Sequence, residues 1–136
     1  MAESAADVLP IETGEDIVRV RQQVRIRAVA AGFSLVDQTK LVTAASELAR
    51  NTLDHGGGGT VRIESVDLGD RRGVRLTFED EGPGIQDIAR ALQDGFTTGT
   101  GLGLGLGGAK RLTNEFIIDS APGKGTRIVI ARWKLV

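Results

Sequence analysis

The chain has no cysteine, which excludes disulfides, a thiol nucleophile and cysteine-ligated metal at once. Its single histidine, His55, excludes a His-rich zinc centre and makes a Ser-His-Asp triad a poor candidate. Aromatic residues are scarce at 4% and the net charge is -1, so neither the stacking platforms nor the basic footprint of a nucleic-acid binder is present. No apolar run approaches the length of a membrane span, and the opening MAESAADVLP is acidic rather than signal-like. These absences lead us to expect a cytoplasmic protein with no nucleic-acid and no membrane partner. The remaining composition, 40% hydrophobic and 26% charged, is that of a globular chain, and 136 residues suffice for one domain over 1–136 with a sizeable core.

Hydrophobic periodicity predicts the elements. VLPIET (8–13) reads as a short strand. Over 14–31, Ile17, Val18, Val20, Val24, Ile26 and Val29 recur near helical spacing, and Gly32 is a natural stop. A second helix is expected from about Asp37 to the glycine cluster at 56–59. TVRIESVDLG and GVRLTFEDEG alternate apolar and polar residues around DRRG, which predicts a hairpin burying Val61, Ile63, Val66, Val74, Leu76 and Phe78. IQDIARALQDG allows a turn or two of helix, 104–114 a third substantial helix, and FIIDSAPGKGTRIVIARW a second hairpin. The order βααββ(α)αββ predicts an α/β two-layer sandwich, a mixed, mostly antiparallel sheet with helices on one face.

Three stretches carry chemistry. In SELARN (46–51), Leu41, Ala45, Leu48 and Thr52 mark the core side of the helix. Glu47 and Asn51 stand four apart on one edge. A carboxylate above a carboxamide can orient an attacking group and offer a hard oxygen to hydrated Mg²⁺, although alone the pair also describes a solvated helix edge. In EDEGPGI (79–85), Asp80 closes a strand, Pro83 fixes φ, and Gly82 and Gly84 permit a turn or close backbone approach to a ligand. A carboxylate there can accept from an exocyclic amine such as adenine's, and a plain turn fits equally well. GTGLGLGLGGAKRL (99–112) packs Gly99, Gly101, Gly103, Gly105, Gly107 and Gly108 into ten positions. A flexible linker would carry serine instead of alternating leucine. The segment is too short for a membrane, no buried strand precedes it as a dinucleotide fold needs, and no P-loop pattern occurs. A glycine-rich loop entering a helix N-terminus, with its N–H groups turned to a polyphosphate, remains.

In that order, ELARN, DEGPGI, GTGLGLGL and GKGT resemble the N, G1 and G2 boxes and the final Gly-x-Thr of the Bergerat-fold (GHKL) ATPases and kinases. The longer strings ASELARN, EDEGPGIQDI, DGFTT and GLGLGLGGAKRL are most similar to the small serine/threonine kinases of bacterial sigma-factor partner switching, above all the switch kinase of the stressosome. The resemblance spans nearly the whole chain and implies ATP and Mg²⁺ as cofactors. By position it implies Asn51 as the Mg²⁺ ligand and Glu47 as general base. Asp80 would hold the adenine amine, assisted by Thr126 through water, with Gly82 and Gly84 near the base. The backbone of Gly101, Leu102, Gly103, Leu104 and Gly105 would wrap the phosphates. The implied partners are a STAS-domain substrate protein and a phosphatase regulator.

Departures from the wider family carry information. Asp54 stands where histidine kinases often carry lysine, so no phosphate contact is expected from it. His55, at a common helix-end position, is expected to be structural instead of a phosphoacceptor. The short segment between Gly84 and Gly101 implies an abbreviated ATP lid and favours the switch-kinase type. Two other readings stay open at this point: an anti-sigma factor kinase that also binds a sigma factor, and a non-catalytic ATP-binding switch module.

Overall fold

Thr13 and Ser34 decide where the two long helices begin. A computed structural model describes residues 6–93 and 105–135. The first elements are β1 (Asp7–Ile11), α1 (Gly14–Ala30) and α2 (Leu35–Asp54). Thr13 caps α1 in a reciprocal capping box with Asp16, satisfying N–H groups that the first turn leaves open. The backbone N–H of Glu12 donates to Asp16 at 2.8 Å, and with the Thr13 N–H and Arg19 it holds the Asp16 carboxyl below the usual carboxylate range. Ser34 accepts from the Asp37 N–H, so α2 starts two residues before the Asp37 start expected from the pattern, and Asp37 is its third helical residue.

The remaining elements are β2 (Gly59–Asp67), β3 (Arg71–Asp80), α3 (Ile88–Ala91), α4 (Gly105–Arg111), β4 (Glu115–Ser120) and β5 (Thr126–Leu135). This is the predicted order. The five strands form one sheet, β1-β2-β3-β5-β4, in which every pairing is antiparallel and no parallel pair occurs among the described residues. The hairpin turn is tighter than DRRG suggested. Asp67 accepts from the Gly69 N–H, the Leu68 N–H donates to Arg71 O, and Arg72 already pairs with Asp67.

The core lies between the sheet and the helices. Ile17, Val20, Val24 and Ala28 of α1, and Leu41, Ala44, Ala45, Leu48 and Ala49 of α2, pack on Val61, Ile63, Val74, Leu76, Phe78, Ile128 and Ile130. Burying a Leu, Val, Ile or Phe contributes roughly 1.5–3 kcal/mol, so this layer holds both helices to the sheet. Val66 is a correction. It is buried, but it pairs with Gly73 and points to the opposite face from Ile63, outside the main core, because period-two alternation separates 63 from 66.

Candidate active site

α2 presents its functional edge because its other side is committed to the core. With Leu41, Ala45, Leu48 and Thr52 buried as expected, Glu47 and Asn51 are left half-buried at the margin. Glu47 Oε1 accepts from the Gly105 N–H at 3.3 Å, so the first residue of α4 already touches the expected general base. Asn51 uses its backbone carbonyl to accept from the N–H groups of His55 and Gly56. Its side chain makes no hydrogen bond among the described residues.

The next residues of the chain carry α2 to Asp80. A Cβ on Gly56 would lie 2.3 Å from the Asp80 carboxyl carbon, and one on Gly82 would lie 2.7 Å from the Gly56 backbone. The carboxylate therefore rests on bare backbone that any larger residue would displace. Its Oδ1 accepts from the Gly82 N–H at 2.9 Å, leaving Oδ2 without a partner among the described residues. Glycine at 82 and 84 is thus demanded by the chain's own backbone. Gly84 has φ +78°, and its added Cβ would lie 2.0 Å from the Ala121 carbonyl oxygen. These two glycines are not in themselves a sign of a ligand.

The 81–85 loop is sewn to the turn between β4 and β5. The Gly123 N–H donates to Pro83 O at 2.7 Å, and the Ile85 N–H donates to Ser120 Oγ at 2.8 Å. His55 Nε2 donates to Gly84 O at 3.0 Å, which agrees with the structural role expected of this histidine and requires the proton on Nε2. Ser120 is a residue that sequence reading missed. It donates to Gly125 O at 2.9 Å, so the Thr126 hydroxyl, 2.8 Å away, must donate to Ser120 and keeps its lone pairs for a ligand or water. No sequence signal marks Ser120, because only the β4–β5 register sets it opposite Thr126.

Asp80 and Thr126 are themselves register partners on adjacent strands. With Ser120, Lys124, Gly125 and Arg127 they line a cavity of about 310 Å³. That is the low end of the roughly 300–1,000 Å³ of ligand pockets. Glu47 and Asn51 are not in its lining. The structure thus brings together two groups: Asp80, Gly82, Gly84 and Thr126 at one end, and Glu47, Asn51 and Gly105 at the other. Gly101, Leu102, Gly103 and Leu104, like DGFTT at 94–98, lie outside the described residues.

A helical layer lies on an antiparallel sheet, with the strand-end carboxylate of Asp80 against the end of the helix that carries Glu47 and Asn51. The family model described as "Histidine kinase-, DNA gyrase B-, and HSP90-like ATPase" matches residues 36–136, and the chain belongs to this family. Among its relatives, the serine/threonine-protein kinase RsbT of Bacillus subtilis (strain 168) is 46% identical over 123 residues, 90% of this chain and 92% of that one. An anti-sigma F factor of Bacillus licheniformis is 39% identical over 101 residues, 69% and 68% of the two chains. The crystal structure of the RsbU and RsbW domains of a Mycobacterium tuberculosis protein covers 95% of this chain and 32% of that one. Its TM-score of 0.63 at 23% identity is a likeness of fold.

Proposed function

We propose that the chain is an ATP- and Mg²⁺-dependent protein serine/threonine kinase of the partner-switching type, which phosphorylates a STAS-domain antagonist and then, released from it, activates a phosphatase regulator. The observation that carries the reading is the juxtaposition on α2. Glu47 and Asn51 share one edge, and the residues directly after them form the bed of Asp80. The 46% identity to RsbT over 90% of the chain supports the serine/threonine specificity.

Each residue then has a task. Asp80 Oδ2 accepts from the adenine amine, and Thr126 accepts from a water beside it. The substrate hydroxyl oxygen bonds to the γ-phosphorus as the bond to the β–γ bridging oxygen breaks, and the hydroxyl proton passes to Glu47. Gly105 donates to one Glu47 oxygen, which leaves Oε2 to take that proton. Among the described residues no three acidic or histidine side chains form a metal cage. A magnesium ion at this site would therefore be carried by phosphates and water, with Asn51 supplying one neutral oxygen, a donor set suited to Mg²⁺. Bound there, the ion would neutralise charge on the transferring phosphoryl group.

The direct test is incubation of the chain with labelled ATP, Mg²⁺ and a genomically adjacent STAS protein, followed by phosphosite mapping. Label on a serine or threonine of the STAS protein is expected, and its absence would refute the reading. The substrate and the regulator are expected to compete, because standard interfaces bury about 800 Å² per partner and one small face serves both. A stable ternary complex would overturn that part. The 39% identity to an anti-sigma F factor favours a second reading, direct binding of a sigma factor, which co-purification with sigma factors of the same genome tests.

A further inference from the structure

α4 is a poor helix in a demanding place. Its sequence GLGGAKR has three glycines in seven residues, and each interior glycine costs about 1 kcal/mol relative to alanine. Its buried side is Leu106, Gly107, Gly108 and Ala109, bare enough that Gly107 seats against the end of α3, where an added Cβ would lie 2.3 Å from Leu92 O. Yet its first N–H must stand at Glu47.

The opposite end of α4 is tied by a residue far away in sequence. Arg132 of β5 donates from Nη1 to Leu112 O at 2.9 Å, just past the end of α4. From Nη2 it donates to Asp37 Oδ1 at 2.6 Å, in the first turn of α2. α4 therefore lies antiparallel along α2 with a polar tie near each end, Gly105 to Glu47 and Leu112 through Arg132 to Asp37. The signs agree: a cation meets the negative end of α4, and a carboxylate sits at the positive end of α2.

The guanidinium is held at a cost. Its Nε is buried and has no hydrogen-bond partner among the described residues. An unmet buried donor is destabilising, and an ion pair is often replaceable by apolar packing without loss of stability. A geometric role explains an arginine here better than added stability does.

We infer that the Arg132–Asp37 pair sets how far α4 stands along α2, and thereby positions the Gly105 N–H on Glu47. Both are positioning residues, and their consequence for phosphotransfer rests on the function proposed above. The geometric claim stands apart from it and is tested without nucleotide.

The experiment is native-state hydrogen exchange on the nucleotide-free wild type, Arg132→Met and Asp37→Asn, with the β2–β3 amides as an internal reference. In Arg132→Met, α4 amides are expected to exchange about tenfold faster relative to that reference, with a smaller change in Asp37→Asn, which keeps an acceptor oxygen. Equal acceleration of α4 and the β2–β3 hairpin would reduce the pair to a global stabiliser and overturn the inference. So would unchanged α4 exchange in both variants. If Arg132→Met does not fold, Asp37→Asn decides alone by the same ratio. A second arm pairs calorimetry with single-turnover phosphotransfer, where Arg132→Met is expected to keep its ATP affinity and lose about tenfold in rate, because its effect runs through Glu47. A wild type that binds no ATP would defeat the functional reading, while the exchange ratio would still decide the positioning role.

Discussion

At the Asp80 end, the 81–85 loop is tied to the last turn of α2 and the β4–β5 turn through His55, Pro83, Ser120 and Gly125, with glycine backbones in direct contact. At the Glu47 end, one N–H from a seven-residue, glycine-rich helix meets one carboxylate oxygen. The first end is held by backbone and side-chain hydrogen bonds from several segments, with glycine backbones pressed together between them. The second depends on where one weak helix is set down.

The sharpest way to break this division is Glu47→Ala. Loss of a positioned base costs roughly 10²–10⁴ in rate, so single-turnover phosphotransfer should fall by that factor while calorimetry finds ATP affinity little changed. Unchanged turnover would leave Glu47 only the task of holding Gly105. Asp80→Asn acts at the other end and on the other quantity. Removing the charge from the acceptor should weaken ATP binding about 10–100-fold, with little change in unfolding midpoint because an oxygen can still meet the Gly82 N–H. A wild type that binds ATP and GTP equally well would refute the adenine role.

Gly84→Ala tests how rigid the Asp80 end is. A φ of +78° and a Cβ placed 2.0 Å from the Ala121 carbonyl oxygen should destabilise the fold by at least about 2 kcal/mol in denaturant titration. A neutral result would mean that the loop can shift away from the β4–β5 turn. The smallest effect is in acid. The hydrogen bond from Arg132 holds the Asp37 carboxyl below its usual range, and the Glu12 N–H does the same for Asp16. Both native pKa values lie below the unfolded ones, near 3.9. Their stabilisation is therefore complete above that pH and is lost as pH falls through the native values. Asp37→Asn should show a shallower loss of stability between about pH 4 and 2 than the wild type, measured by thermal unfolding.

Much of this was legible in one dimension. Helical and strand periodicities act over a few residues, so the element order βααββ(α)αββ and the core side of α2 follow from local pattern. Glu47 and Asn51 on one edge follow from 3.6 residues per turn alone. Boundaries were less legible, because Ser34 and Asp67 act through side-chain bonds to nearby N–H groups that hydrophobicity does not register. Val66 was misplaced for a related reason, since its hydrophobicity says that it is buried and only the register says on which face.

Sequence by itself determined the residues that could do chemistry and the elements that bear them, because both depend on neighbours along the chain. Only the tertiary structure decided how those residues meet. Asp80 stands beside Thr126 because β3 and β5 pair in one register, and Asp80 rests on Gly56 because α2 ends where β3 ends. Ser120 became the joint of the Asp80 end, and Arg132 the link between Asp37 and Leu112, across separations of 95 and 20 residues. A hydrogen bond between strands or helices distant in sequence leaves no periodic trace in either partner, since its cause is the packing of the whole layer.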